Sequence, residues 1–392
     1  MHSAPSPTPD SLALLRELIR FDTTSRNSNL ELIDFVREYL TALGVETVLV
    51  HDPDQPKANL YATIGDPARA GLVLSGHTDV VPVDGQDWHS DPYTLTERDG
   101  RLYGRGTADM KGFIAVCLAA VPAIGARNLD VPVHLALSYD EEIGCVGVRG
   151  LLAELERRAV RPRACVIGEP TGMRIIRAHK GKLSQRCTVH GLECHSGMTH
   201  RGVNAVEAAA ETIAYLKTLA RGLRDAGPFD TEFDPPYTTV HTGVVHGGTA
   251  LNIVPKECRF DFEFRHLPDD DPEALLEQVR GYAESRLLPE MRAVFPGARF
   301  EWELLSQFPG LSTDPDAPVT ELLKAVLETR DTGKVSFGTE GGLFQRAGIP
   351  AIVCGPGDID QAHKPDEFID PAQLSRCEQF IARLIDRFAE TG

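Results

Sequence analysis

Three acidic residues in a row, Asp140, Glu141 and Glu142, follow the apolar run VPVHLALS. Carboxylates that repel one another at the end of a buried strand need a positive partner, because an unpaired buried charge is costly. On an extended chain Glu141 and Glu142 point to opposite sides, so one could bind a cation while the other faces a reacting water. That division of roles is typical of a metal-assisted hydrolase. A solvated acidic turn is the alternative.

Other candidate ligands also follow predicted strands or glycine-rich turns. GLVLSGHTDV carries His77 and Asp79, whose spacing puts both side chains on one side, so that Asp79 can orient the imidazole. Asp109 stands before an apolar helix, Glu169 ends the strand ACVIGEP, and His363 follows the turn GPGD. Taken singly, these residues could equally be a turn histidine with a capping aspartate, a helix cap, a surface charge and a loop histidine.

Two histidines and three carboxylates form a nitrogen and oxygen ligand set without thiolate, which suits a pair of Zn²⁺-like ions. In an open, mainly parallel sheet, residues just beyond the carboxyl ends of the strands meet at one edge. The motifs H-E-x-x-H and G-x-S-x-G do not occur. The sequence therefore predicts a centre with two metal ions but gives none of the common zinc-protease or serine-hydrolase signals.

The order of predicted elements indicates two domains. Helices alternate with short apolar strands in residues 1–180 and again in residues 309–392, which predicts an α/β sandwich with a mainly parallel sheet. Residues 181–308 instead give the order β-α-β-β-α-β, which is typical of a ferredoxin-like α+β domain. We therefore expect a catalytic domain, 1–180 with 309–392, that carries the domain 181–308 as an insertion.

The composition narrows the class of partner. The 392 residues include 57 acidic and 40 basic ones, and the net charge of −17 disfavours nucleic acids and anionic membranes as partners. No apolar stretch approaches the roughly 20 residues of a membrane span. The N-terminus lacks a signal-peptide pattern, and the eight cysteines include no C-x-x-C pair. We expect a cytoplasmic protein with reduced thiols.

Read together, these segments resemble the M20 family of metallopeptidases and deacylases. The resemblance implies a three-layer catalytic domain, an inserted lid domain through which two subunits form a homodimer, and two divalent metal ions, Zn²⁺ first and Co²⁺ second. The matching segments are SGHTDVVP, YGRGTADMKG, SYDEEIG, VIGEPT, HSGMTHRGVNA, LNIVPKECRFDFEFR and CGPGDIDQAHKPDEF.

The resemblance also assigns metal ligands by position. It implies that His77, Asp109 and Glu169 bind one ion, that Glu142 and His363 complete the site of the second, and that Asp109 bridges the two. It further implies a cis peptide bond after Asp109.

The remaining roles concern catalysis and the substrate. By resemblance, Glu141 is the general base and acid, and Asp79 orients His77. His195 would reach across the dimer to the oxyanion in the partner's site, and Asn252 and Arg265 would hold the backbone end of the substrate. Without the resemblance, these last three residues would be interpreted as a loop histidine, a loop amide and a surface charge.

Two stretches, FDTTSRNSNLELIDFVREYL near the start and GTEGGLFQ…GPGDIDQAHKPDEF near the end, most resemble the branch of the family that hydrolyses N-acetyl-L-ornithine to L-ornithine and acetate in arginine biosynthesis. Glu340 in GTEGG would recognise the substrate ammonium, with a turn carboxylate as the alternative. Succinyl-diaminopimelate, N-acyl amino acids and dipeptides stay open as substrates. So does a metal-containing binding protein without activity, although Glu141 argues against it because a binding site needs no unliganded base.

Overall fold

The computed structural model describes residues 6–67, 69–127 and 129–390. The chain divides into two units. The first unit consists of the chain up to Ala178, Leu311–Lys334 and the chain from Thr339 onward. The second unit consists of His179–Gly310 and Val335–Gly338.

Both units of the described chain contain helices and strands. The helices are α1 (Pro9–Ile19), α2 (Leu30–Ala42), α3 (Lys111–Ala126), α4 (Val148–Arg157), α5 (Ala205–Ala226), α6 (Pro272–Tyr282), α7 (Leu288–Val294), α8 (Pro318–Leu327), α9 (Gly341–Arg346) and α10 (Pro371–Glu390). The strands are β1 (Glu46–His51), β2 (Ala58–Ile64), β3 (Leu72–His77), β4 (Thr96–Arg98), β5 (Arg101–Tyr103), β6 (Val133–Ser138), β7 (Ala164–Pro170), β8 (Ile176–His179), β9 (Gly181–His190), β10 (Thr239–Gly247), β11 (Glu257–His266), β12 (Arg299–Phe308), β13 (Leu311–Ser312), β14 (Gly333–Val335), β15 (Ala351–Gly355) and β16 (Phe368–Ile369).

The large sheet has the strand order β1-β2-β6-β3-β7-β15-β8-β13, with β14 paired to β8. The four central strands, β6, β3, β7 and β15, are parallel, and antiparallel pairs flank them on both sides. Every residue of these four strands is buried, as expected for parallel strands covered on both faces. The predicted α/β class with a mainly parallel sheet is confirmed.

The parallel strands bring their carboxyl ends to one edge of the sheet. β3 ends at His77, β6 ends at Ser138, β7 contains Glu169 next to its last residue, and β15 ends at Gly355. Chemistry in open sheets of this kind collects just beyond that edge. The sheet therefore positions several candidate side chains side by side.

Helix α3 packs closely against this sheet, and a glycine in β7 makes the approach possible. A Cβ atom added at Gly168 would lie 2.1 Å from the ring of Phe113, far inside normal contact. The start of α3 follows Asp109 by two residues. The fit between Gly168 and Phe113 therefore sets where the loop that carries Asp109 meets the sheet.

The second unit contains an antiparallel sheet of order β10-β11-β9-β12. In β11 buried and more exposed residues alternate, so one face of that strand packs into a core with α5 and α6. The element order is β-α-β-β-α-β, with a 3₁₀ helix (Ser196–Arg201) before α5, and with a π-helical turn (Ala283–Leu287) and α7 before the last strand. The ends of this unit, His179 and Gly310, lie two residues outside the predicted limits 181 and 308, and Val335–Gly338 also belongs to it.

Two further expectations from composition can be compared with the described chain. None of the helices in the described ranges is long and apolar enough to cross a membrane. All eight cysteines carry free thiols, and Cys194 alone among them is not fully buried. The cysteines are therefore mostly small core residues.

Candidate active site

Five side chains predicted as metal ligands lie in one cluster of the first unit. Asp109 is at its centre, because its Oδ1 lies 3.0 Å from Nε2 of His77 and its Oδ2 lies 3.3 Å from Nε2 of His363. Glu169 Oε1 is 3.7 Å from the same nitrogen of His77, and Glu142 Oε2 is 3.1 Å from that of His363. The two oxygens of one carboxylate thus face two different histidines, each of which has a second carboxylate beside it.

The electrostatics of this cluster favour bound cations. The side chains of Asp109, Glu142 and Glu169 are only 6–7% exposed. Burial, reinforced by the charge of Asp109, raises the pKa of Glu169 well above its usual range and that of Glu142 to about 7. Buried carboxylates of this kind stay ionised only beside added positive charge, and nitrogen and oxygen donors suit divalent cations. Ligand atoms lie within 4.8 Å of one another in two groups, His77 with Glu141 and Glu169, and His77 with Asp109 and Glu142.

Asp79 connects His77 to the acidic turn. Nδ1 of His77 lies 2.9 Å from the main-chain carbonyl of Asp79 and 3.5 Å from its carboxylate, so Nδ1 carries the proton and Nε2 faces the cluster. The carboxylate of Asp79 accepts hydrogen bonds from the backbone N–H groups of Glu141 (3.1 Å) and Glu142 (3.3 Å). It also accepts one from the hydroxyl of Ser25 at 2.8 Å. The sequence predicted that Asp79 contacts His77. It did not predict that Asp79 also binds the backbone of the acidic turn.

The acidic residues do not lie on an extended chain, and that expectation was wrong. β6 ends at Ser138, Asp140 has a left-handed φ of 54°, and the backbone N–H groups of Gly144 and Cys145 close a turn onto the carbonyl of Glu141. The solvated-turn alternative is wrong for Glu142, whose side chain is only 7% exposed. The turn sets the direction of the Glu141 and Glu142 side chains, and strand alternation does not.

Asp109 does not cap α3. That helix begins at Lys111, its N-cap residue is Met110, and no side chain caps it. The peptide bond between Asp109 and Met110 is cis, as the resemblance implied. Glu169 is buried at the end of its strand, so its interpretation as a surface charge was also wrong.

Glu367 holds the loop that carries Asp109, and sequence reasoning missed it. Its Oε1 accepts the N–H groups of Ala108 (2.9 Å) and Asp109 (3.1 Å), and its Oε2 accepts the N–H of Gly106 (3.0 Å). The guanidinium of Arg105 lies 2.8 Å from Oε2, and both side chains of this ion pair are buried. The only signal in the sequence was the position of Glu367 four residues after His363, which does not indicate the loop it reaches.

Lys57 was missed as well. Its ammonium lies 2.6 Å from the carboxylate of Asp140, so it is the protein's own positive charge opposite the first of the three acidic residues. Glu141 and Glu142 instead point to the cluster of carboxylates and imidazoles.

Glu340 lies at the N-terminus of α9 and is buried in the first unit. Its Oε2 is 3.5 Å from the hydroxyl of Ser75, whereas its Oε1 has no hydrogen-bond partner among the described residues. Burial raises the pKa of Glu340 to about 7. The contact of Glu340 with substrate stays a prediction.

Three predicted substrate residues lie in the second unit. His195 is exposed, and the carbonyl of Asn252 accepts a hydrogen bond from the N–H of Ser196 at 3.1 Å, so these two segments run side by side. Arg265 lies on β11, where its Nε donates to Glu263 at 3.0 Å. The structure brings His195 and Asn252 into neighbouring segments, and the roles of all three residues stay predictions.

The class of protein follows from comparison with known families. A family model, described as peptidase family M20/M25/M40, matches residues 73–387. The chain therefore belongs to this family and is a hydrolase, which confirms the resemblance inferred from the motifs.

Two curated relatives are similar over nearly the whole chain. Both are acetylornithine deacetylases, one from Photorhabdus laumondii subsp. laumondii and one from Proteus mirabilis. Each is 36% identical over 387 residues, which make up 97% of this chain and 97% of the relative.

Solved structures share the fold at lower identity. The aminopeptidase PepT from Bacillus cereus aligns with a TM-score of 0.74 at 22% identity, over 97% of this chain and 98% of its own. The M20 family metallo-carboxypeptidase Sso-CP2 from Sulfolobus solfataricus aligns with a TM-score of 0.78 at 20% identity, over 98% of this chain and 100% of its own.

Proposed function

We propose that this chain hydrolyses the acetyl amide of N-acetyl-L-ornithine and releases L-ornithine and acetate. The two full-length relatives named acetylornithine deacetylase support this substrate. The observation that carries the reaction class is the position of Asp109, whose two oxygens face His77 and His363. A carboxylate placed in this way can bridge two cations.

Two divalent cations would complete the site, with Zn²⁺ as the first candidate and Co²⁺ as the second. His77, Asp109 and Glu169 would hold one of them, and Glu142 and His363, with the other oxygen of Asp109, would hold the second. When bound, the cations would balance the buried carboxylates and polarise the carbonyl of the substrate.

Glu141 would act as the general base and then as the general acid. Its carboxylate would take a proton from the water whose oxygen attacks the amide carbon, and it would give that proton to the amine nitrogen as the C–N bond breaks. Asp79 would support this role by holding Glu141 in position, since its carboxylate accepts the backbone N–H of Glu141. His195 of the partner subunit would donate a hydrogen bond to the oxyanion as it forms.

The substrate carries an anionic α-carboxylate and a cationic side-chain ammonium, so each needs a partner of the opposite charge. The guanidinium of Arg265 and the amide of Asn252 would bind the α-carboxylate, for which a planar guanidinium is well suited. Glu340 would pair with the side-chain ammonium of ornithine. The second unit would serve as a lid and as the surface through which two chains form a homodimer.

A substrate panel combined with metal analysis tests the proposal. Protein stripped with EDTA should lose activity and regain it with Zn²⁺ or Co²⁺, with about two ions bound per chain. N-acetyl-L-ornithine should give the highest kcat/KM when compared with N-succinyl-diaminopimelate, a simple N-acetyl amino acid and a dipeptide. Full activity without metal would contradict the reaction class, and a clear preference for another member of the panel would contradict the substrate.

A further inference from the structure

A buried ion pair lies directly beside the candidate active site and has no part in the reaction as proposed. Nζ of Lys57 lies 2.7 and 2.6 Å from the two carboxylate oxygens of Asp140, and the side chains are 3% and 1% exposed. Asp140 immediately precedes Glu141. Building on the proposed function, we infer that Lys57 is a positioning residue, which fixes Glu141 and His77 in the geometry that hydrolysis requires.

The ammonium of Lys57 binds a second segment of the chain. It lies 2.5 Å from the carbonyl oxygen of Ser25, whose hydroxyl donates to the carboxylate of Asp79 at 2.8 Å. The backbone N–H of Ser25 also donates to the carbonyl of Val80 at 3.2 Å. One cation therefore ties the segment that supports Asp79 to the turn that contains Asp140.

The network closes on itself through Asp79. Its carboxylate accepts the backbone N–H groups of Glu141 and Glu142, and its carbonyl accepts the proton on Nδ1 of His77. Displacing one member of a closed ring breaks its contacts on both sides, so the ring restricts its members more than separate contacts would. The ring runs, in order, through Lys57, Asp140, Glu141, Asp79 and Ser25.

The backbone of Asp140 gives an independent reason to expect this role. Its φ of 54° lies in the left-handed region, which residues other than glycine adopt uncommonly, with Asp and Asn among the more tolerant. This conformation turns the chain directly after β6, so that the next two N–H groups point to Asp79. Since both oxygens of Asp140 are held by the ammonium of Lys57, the ion pair holds the turn in that conformation.

A contribution to stability alone would be a weaker explanation of the pair. Removing two charges from water opposes their attraction, so replacing a buried ion pair with neutral side chains often leaves stability unchanged. Removing only one partner leaves an unpaired buried charge, which is strongly destabilising. A double replacement with neutral side chains therefore separates positioning from stability, and asparagine suits residue 140 because it tolerates the left-handed conformation.

The test compares Lys57→Met/Asp140→Asn with the wild type in three measurements. In the metal-free protein we expect a similar unfolding temperature, but faster hydrogen exchange at the amides of Glu141 and Glu142. In the metal-loaded enzyme we expect kcat to fall by about 100-fold with KM little changed, because a misplacement of about 1 Å can cost that much.

The control is Arg186→Met/Asp261→Asn in the second unit, where the two side chains are 29% and 20% exposed. It removes an ion pair whose two N–O contacts are both 2.8 Å long and which belongs to no ring around the site. This control should keep the wild-type kcat and the wild-type exchange at Glu141 and Glu142.

Wild-type kcat together with unchanged exchange in the first double variant would overturn the inference. If that variant does not fold, Lys57→Gln/Asp140→Asn decides, because it also removes both charges but leaves polar groups at the two positions, and it should still speed exchange at the same two amides. Unchanged exchange and turnover in this second double variant would equally overturn the inference. If the wild type hydrolyses an amide other than N-acetyl-L-ornithine, the proposed substrate fails, whereas the exchange measurement requires no substrate and still decides the role of Lys57.

Discussion

At the scale of single residues, the proposed mechanism separates metal binding from proton transfer. Asp109 presents its two oxygens to His77 and His363, and a second carboxylate accompanies each imidazole. Glu141 belongs to the same cluster, and its backbone is tied to Asp79. This arrangement leaves Glu141 as the carboxylate that the proposed mechanism assigns to the moving proton.

Replacing Glu141 with glutamine tests that division of roles. The amide keeps the shape of the side chain but cannot take a proton from water, so kcat should fall by about 10²–10⁴-fold, the usual contribution of general acid–base catalysis. The metal content measured on the same protein should not change. Glu156→Gln, at an exposed position on α4, is the control and should behave like the wild type. A Glu141→Gln enzyme with near-normal kcat would remove Glu141 from its assigned role.

The sequence predicted the residues of the cluster better than the residues that hold them in position. His77, Asp109 and Glu169 each follow or end a segment whose pattern marks a strand or a turn, so their convergence at one sheet edge was predictable. Lys57 reaches Asp140 across 83 residues, and Glu367 reaches the N–H of Asp109 across 258. Neither Lys57 nor Glu367 lies in a local sequence pattern that indicates which segment it binds. Such pairings depend on how the strands are ordered in the sheet, which the sequence alone did not specify.

At the scale of elements, hydrophobic periodicity was sufficient wherever an element packs in the regular way. The four central strands were recognisable as apolar runs because both of their faces are covered. Periodicity failed at the ends of elements, where the chain leaves regular structure. The turn at Asp140 and the uncapped start of α3 are the two examples, and both position side chains of the cluster.

The contact between α3 and β7 gives a prediction at this scale. Gly168→Ala would place a methyl group 2.1 Å from the ring of Phe113, so α3 must shift away from the sheet. We expect the metal-free protein to lose about 1–3 kcal/mol of unfolding free energy, as in other overpacked cores. The same shift would displace Asp109 and weaken metal binding. Denaturant titration and metal titration measure the two effects.

Gly125→Ala in the same helix is the matched control, because a Cβ atom there meets nothing within 4 Å. Alanine should leave stability unchanged or raise it by up to about 1 kcal/mol, since glycine is the poorer helix former. Equal stability of the two alanine variants would show that α3 does not depend on the glycine in β7.

At the scale of the whole molecule, the net charge of −17 opposes association of two copies, so an interface between them should be uncharged. The second unit offers two sheet edges. β12 carries Arg299, Glu301 and Glu303, whereas β10 contains no Asp, Glu, Lys or Arg. Charged edge strands resist pairing with another chain, and uncharged ones favour it. We therefore expect the proposed homodimer to form along β10.

Val245 on β10 is 52% exposed, and Val245→Lys places a charge on this edge. Two lysines related by the dimer axis would repel each other and lose their hydration, so sedimentation should show a dimer for the wild type and a monomer for the variant. Turnover should also fall in the monomeric variant, because each site would lose His195 of the partner subunit. Val294→Lys, at a 44% exposed position on α7, should leave both properties unchanged. A Val245→Lys protein that is monomeric yet fully active would show that His195 does not act across subunits, and a variant that stays dimeric would show that the chains associate through another surface.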